Sequence, residues 1–126
     1  QKWGRVVTIT SIFGREAGGK PWFSMAKTAQ TSFMKSLAID HCLTREGITF
    51  NSVAPGAIII PDTGWAKSSR DNPEETKEFV ERELPLGRFG TPEEVADVVA
   101  FICSEKASLL NGISVPVDGA QSRSIL

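Results

Sequence analysis

The sequence predicts an α/β fold, a parallel sheet of three strands with helices packed against it. Three observations carry that expectation. Short β-branched runs alternate with longer stretches in which apolar residues recur at three- and four-residue steps. The first strand run, Val6 to Thr10, is wholly β-branched, the pattern of a strand covered on both faces. The breaks fall at Gly4, Gly47, Pro55-Gly56 and Asn111-Gly112, residues that punctuate regular structure. Strand, crossover helix and strand in succession close right-handed, which makes the sheet parallel.

The first strand follows Gly4-Arg5 and is expected over residues 6–10, Val-Val-Thr-Ile-Thr, buried on both faces. Gly14, Gly18, Gly19 and Pro21 mark a loop, and helical periodicity then runs over residues 21–44. Gly47 suits a left-handed C-terminal cap. Residues 48–54 read as the second strand, stopped by Pro55-Gly56. A polar, proline-punctuated segment follows to Arg88, with one helix from Pro73 to about Glu83. Connections of that length are commonly binding lids, so residues 57–90 are read as a lid. Thr91-Pro92-Glu93-Glu94 is a capping box opening a helix to about Ser104, and residues 113–117 form the third strand. Three parallel strands make a thin sheet whose first strand is an unpaired apolar edge. The chain therefore reads as part of a larger doubly wound sheet, with a companion segment outside this sequence or another chain covering that edge.

Composition excludes several classes of function. The 126 residues suit one domain, with 40% apolar and 23% charged residues. A net charge of −1, with dispersed lysines and arginines, gives no footprint for nucleic acid or an anionic membrane. No apolar run approaches the roughly 20 residues needed to span a bilayer, and the N-terminus lacks the shape of a signal peptide. A cytoplasmic location is the expectation. Cys42 and Cys103 read as buried small apolar side chains. His41, the single histidine, reads as a surface or interface residue, and no metal site is expected.

The chemistry-bearing stretch is Ser11 to Lys27. A short hydroxyl at a strand's end and an ammonium in the opening turns of the next helix converge on one small polar site. Four residues before Lys27, on the same helical face, stands Phe23, and the chain contains no tyrosine. Trp22 and Met25 beside it read as a bulky pocket wall.

Taken together, the motifs Gly4-Arg5-Val6-Val7, Ile9-Thr10-Ser11 and Lys27 point further. With them go residues 47–56 (Gly-Ile-Thr-Phe-Asn-Ser-Val-Ala-Pro-Gly), Pro85-Leu86-Gly87-Arg88, Thr91-Pro92-Glu93-Glu94 and Val117-Asp118-Gly119. In this order and spacing they resemble the C-terminal half of a short-chain dehydrogenase/reductase. The resemblance implies that residues 1–126 are the C-terminal portion of one Rossmann-type domain. They would supply the last three of seven parallel strands, with a substrate lid at 57–90. The phosphate-binding glycine loop and the residue that selects NAD or NADP would lie upstream.

The resemblance implies NAD(P)-dependent oxidoreduction of a small-molecule alcohol or carbonyl, with a role for each matching residue. Ser11 would hydrogen-bond the substrate oxygen. Lys27 would bridge the nicotinamide ribose hydroxyls and lower the pKa of a neighbouring tyrosine, whose position is held by Phe23. Pro55, Gly56 and the backbone near Ile58 would hold the nicotinamide carboxamide, with Thr63 an approximate candidate for a threonine after that turn. A homo-oligomer is implied through the helix at 21–44, by Ser32, Ser36, Ile39, Asp40 and Leu43, and through the C-terminal strand.

Phe23 keeps an aromatic ring but has no proton to give. A positioned acid typically contributes about 10²–10⁴-fold to such a step, and Ser24, about 100° around the helix, is poorly placed to replace it. Three readings stay open: a reductase of weak or altered activity, a non-catalytic nucleotide-binding or oligomer-scaffolding protein, and an engineered inactivation.

Overall fold

The computed structural model describes residues 2–125. Three parallel strands, β1 (Gly4–Ile9), β2 (Ile48–Pro55) and β3 (Ser114–Val117), form one sheet in the order β1-β2-β3. Gly4 lies opposite Ile48 and Ile9 opposite Val53, while Ser52 to Pro55 pair with Ser114 to Val117. The helices are α1 (Pro21–Ala38), α2 (His41–Thr44), α3 (Gly64–Asp71), α4 (Pro73–Glu83) and α5 (Pro92–Ile102). Single 3₁₀ turns occupy Ile12–Gly14 and Glu105–Ala107.

The central strand carries the core. Val53 and Ala54 are fully buried, and Phe50 packs with Met34 and Ala38 of α1, joined by Leu37, Leu43 and Ile48. Helices α1 and α5 both pack on β2. Two asparagines latch the loop before β3 to this strand. Asn51, fully buried, donates to the Leu110 carbonyl (2.9 Å) and accepts from the Ile113 N–H (3.2 Å). Asn111 accepts from the Phe50 N–H (2.9 Å) and donates to the Ala38 carbonyl (2.8 Å).

The edge strand is less buried than its composition predicts. Val6 and Ile9 lie on opposite faces, and both stay exposed, at 40% and 46%. An apolar run is covered on both faces only where helices flank it on both sides, and β1 stands at the rim of the sheet.

The helix expected over 21–44 is two helices. Its apolar spacing runs on past Ala38, but the Asp40 carboxylate accepts from the Cys42 (2.8 Å) and Leu43 (3.4 Å) N–H groups and starts α2 afresh. A short carboxylate that can satisfy free amides competes with helix continuation. Cys42 then falls on the exposed side of α2 rather than in the core. Gly47 ends the unit at φ +76°, where an added Cβ would meet the Lys2 carbonyl oxygen at 2.6 Å.

Residues 57–90 carry two helices where one was expected. No apolar periodicity announces α3; Trp65 fixes it by stacking on Phe79 of α4 at 4.3 Å between ring centroids and by a tilted contact with Phe89 at 5.2 Å. The base of the segment is zipped by a parallel bridge, in which the Gly90 N–H donates to Ala57 (3.0 Å) and the Ile59 N–H to Gly90 (2.9 Å). The capping box at Thr91 and Glu94 forms as the spacing predicts.

Candidate active-site cleft

Ser11 lies two residues beyond the end of β1. Its backbone is extended, and its Oγ accepts from the Phe13 N–H (3.2 Å), capping the 3₁₀ turn at Ile12–Gly14. A hydroxyl used as an acceptor retains its own proton for donation. Gly14 lets α1 close on this turn, since a Cβ there would lie 2.8 Å from the Lys27 carbonyl oxygen. The approach carries the Lys27 side chain to β1, where Nζ donates to the Ile9 carbonyl (3.3 Å). The same ammonium stands 5.7 Å from the centroid of the Phe23 ring, one helical turn earlier, within cation–π range.

These elements border a cleft of about 380 Å³ at the carboxyl ends of β1 and β2. Ile9, Thr10 and Ser11 line it from the first strand, and Pro55, Gly56 and Ile58 from the second. Phe23 enters from α1, Trp65 from α3, and Pro92 and Val95 from α5. The crevice beyond the carboxyl ends of parallel strands is where open α/β sheets bind their ligands. The Thr10 hydroxyl is engaged with the Val53 carbonyl (3.1 Å), so Ser11 supplies the hydroxyl donor of the wall. No charged side chain lines the cleft among the described residues.

The turn after β2 packs closely against the segment after β3. A Cβ on Gly56 would lie 2.5 Å from Gln121 Oε1 and 2.7 Å from Asp118 Cβ. In a parallel bridge the residue between the two ladder bonds directs its own N–H and C=O away from the partner strand. Ile58 occupies that place opposite Gly90, so its N–H points away from Gly90.

The structure thus brings Ser11, Phe23, Pro55, Gly56 and Ile58 to one cleft and ties Lys27 to its rim. Thr63 is not among the lining residues; its hydroxyl turns back to the Ile60 carbonyl (3.1 Å) at the start of α3. Ser24 donates to the Gly18 carbonyl and is committed to the loop. Trp22 and Met25 are exposed on the outer side of α1 at 63% and 71%, so neither is a pocket wall. His41 is exposed and lines no part of the cleft. Among the described residues, no group of three or more His, Cys, Asp and Glu could hold a metal ion, and no helix is long and apolar enough to cross a membrane.

Trp65, Pro92 and Val95 line the cleft without having been singled out from the sequence. Trp65 is the one aromatic in its helix, and an isolated tryptophan in a polar segment is the signal that marks it. The titrating pair near the site is Arg88 and Glu94, where residues 57–90 lead into α5. Arg88 Nη1 and Nη2 meet the Glu94 carboxylate at 3.0 and 2.7 Å, and the Thr91 N–H adds a bond at 2.9 Å. The Arg88 bond, then the Thr91 amide, pull the Glu94 carboxyl from 4.5 to about 2. The same bond pushes the Arg88 guanidinium up.

Comparison with known proteins places this geometry. A family model described as enoyl-(acyl carrier protein) reductase matches residues 1–120. The 3-oxoacyl-[acyl-carrier-protein] reductase FabG of Aquifex aeolicus is 41% identical over 120 residues, covering 94% of this chain and 45% of that protein. The (3R)-3-hydroxyacyl-CoA dehydrogenase of Mus musculus is 38% identical over 92% of this chain and 42% of its own length. Among solved structures, an oxidoreductase of the short chain dehydrogenase/reductase family from Burkholderia thailandensis superposes with a TM-score of 0.82 at 35% identity. It covers 95% of this chain and 45% of that one. The chain therefore spans less than half the length of these relatives.

Proposed function

The chain belongs to the short-chain dehydrogenase/reductase family, and on that premise we propose that it forms the catalytic and substrate-facing half of an NAD- or NADP-dependent alcohol/carbonyl oxidoreductase. The observation that carries the reading is the meeting of Ser11, Phe23 and the Pro55–Gly56 turn around one cleft, with Lys27 held to its rim. The residues fit a nicotinamide nucleotide: the Pro55–Gly56 turn and the Ile58 N–H suit the carboxamide, and Lys27 suits the ribose hydroxyls. Bound there, the cofactor would supply or accept the hydride.

The chain's own residues would do the rest. Ser11 donates a hydrogen bond to the substrate oxygen, where charge develops as the carbonyl is reduced. The apolar walls from Ile58, Ile60, Trp65 and Val95 exclude water and strengthen that bond. Phe23 fills the place of the proton donor without a proton. The oxygen must then be protonated by water or through Ser11, which weakens catalysis by up to about 10²–10⁴-fold relative to a positioned acid.

A second reading is supported by the exposed side of α1. Trp22, Met25 and Phe33 stand 62–71% exposed on it, more apolar surface than an isolated helix face usually shows. A non-catalytic member that binds nucleotide and self-associates through α1 and β3 would use that face and leave the cleft without turnover. Binding of reduced nicotinamide mononucleotide, followed by its fluorescence, separates the two from a chain that binds no cofactor. Saturable binding supports the cofactor site. Carbonyl reduction that appears or rises with Phe23→Tyr supports the oxidoreductase, and nucleotide binding with no carbonyl reduction by either protein would favour the scaffold.

A further inference from the structure

The segment after β3 is tied into the cleft from behind. Gln121 Oε1 accepts from the Ala57 N–H at 2.7 Å, one residue after the Pro55–Gly56 turn. The segment is itself held in shape. The Asp118 carboxylate accepts from the Ala120 (3.0 Å) and Ser122 (2.9 Å) N–H groups, and the Gln121 N–H donates to the Asp118 carbonyl (3.1 Å). Glu16, in the loop between Ser11 and α1, accepts from the Arg123 (3.0 Å) and Ser124 (2.9 Å) N–H groups through Oε2. The tail thus bridges the loops that follow β1 and β2, the two strands whose ends form the cleft.

We propose that Gln121 is a positioning residue for the nicotinamide-binding turn, and that residues 118–124 are an integral part of the cofactor site; the assignment rests on the nicotinamide reading above. The Ala57 amide has one conformation in which it meets the Gln121 oxygen. In that conformation Gly56 has no room for a Cβ, because Gln121 and Asp118 occupy the space. The Ala57 carbonyl at the same time accepts from the Gly90 N–H (3.0 Å), which sets the Ile58 N–H away from the lid. Gln121 therefore acts through Ala57 on the backbone of Gly56 and Ile58, the groups that face the carboxamide. It touches neither the cofactor nor the substrate.

The test compares Gln121→Met, which keeps the length of the side chain and removes the acceptor, with Gln121→Glu, which keeps an oxygen in place. Asn111→Ala, at the opposite end of the sheet, is the control for general loosening. Hydrogen exchange at the Ala57 amide and the dissociation constant of reduced nicotinamide mononucleotide are read for each protein. Gln121→Met is expected to speed exchange at Ala57 and to weaken nucleotide binding about 10-fold, the effect of a lost hydrogen bond of about 1 kcal/mol or a little more. Gln121→Glu should restore both, and Asn111→Ala should lower the melting temperature while leaving binding unchanged. Unchanged exchange at Ala57, equal binding by Gln121→Met and wild type, or an equal loss in Asn111→Ala each overturns the proposal while the nicotinamide reading stands. No binding by the wild type overturns both.

Discussion

Lys27 donates from Nζ to the main-chain oxygen of Ile9 at 3.3 Å. The bond joins the second turn of α1 to the last residue of β1, two positions before Ser11, and keeps the ammonium at the rim of the cleft beside Phe23. A side chain of this length loses much rotamer freedom when held in one place. Its position is therefore set by the close packing of α1 on the turn after β1, more than by the single bond.

Because the chain contains no tyrosine, Phe23→Tyr introduces its sole phenol, and ultraviolet difference absorbance titrates that group alone. A cation nearby favours the phenolate, so its pKa is expected below the free value of about 10. Adding Lys27→Met should return it to about 10. A phenol that titrates at the free value with Lys27 intact would falsify the role of Lys27 as the group that tunes this position.

Gly14→Ala tests the packing that brings Lys27 to β1. The new methyl would lie 2.8 Å from the Lys27 carbonyl oxygen and 2.9 Å from its carbon, both backbone atoms that cannot rotate aside. Overpacking of this kind costs about 1–3 kcal/mol, read as a lower urea midpoint at unchanged slope. A shift within error would mean that α1 moves away freely.

Acid should loosen the junction between residues 57–90 and α5. The Glu94 carboxyl titrates near 2 in the fold and near 4.5 free, so folding favours its ionised form. That stabilisation is complete above 4.5 and is lost as the pH falls towards 2. Glu94→Gln should therefore melt below the wild type at neutral pH, with the gap closing across that window. The pair is half-exposed, so added salt should shrink the gap as well. A gap that stays constant with pH would assign the effect of the substitution to packing.

Much of the fold was legible because it depends on neighbours in sequence. The capping box needs only Thr91 and Glu94 in register, and Gly47 only a backbone that reaches positive φ. Strand β2 is flanked by breakers and buried nearly throughout. The helix break at Asp40 was hidden because apolar periodicity reports which residues face the core and not whether the backbone between them is continuous. Helix α3 was hidden because Trp65 is fixed by Phe79 and Phe89, which lie 14 and 24 residues further along the chain.

The sequence by itself determined the parallel α/β class, the family and the order of the chemical groups: a serine at a strand's end, a lysine on the next helix, and a phenylalanine four residues before it. Those follow from spacing and residue type, which the chain carries locally. Only the tertiary structure decided which of the groups share a cleft. It left Trp22, Met25 and Thr63 outside that cleft and brought Trp65 into it. It also set Gln121 behind Gly56, 65 residues away in sequence. Contacts of that kind depend on how strands and crossovers pack in three dimensions, and no local pattern of residues encodes them.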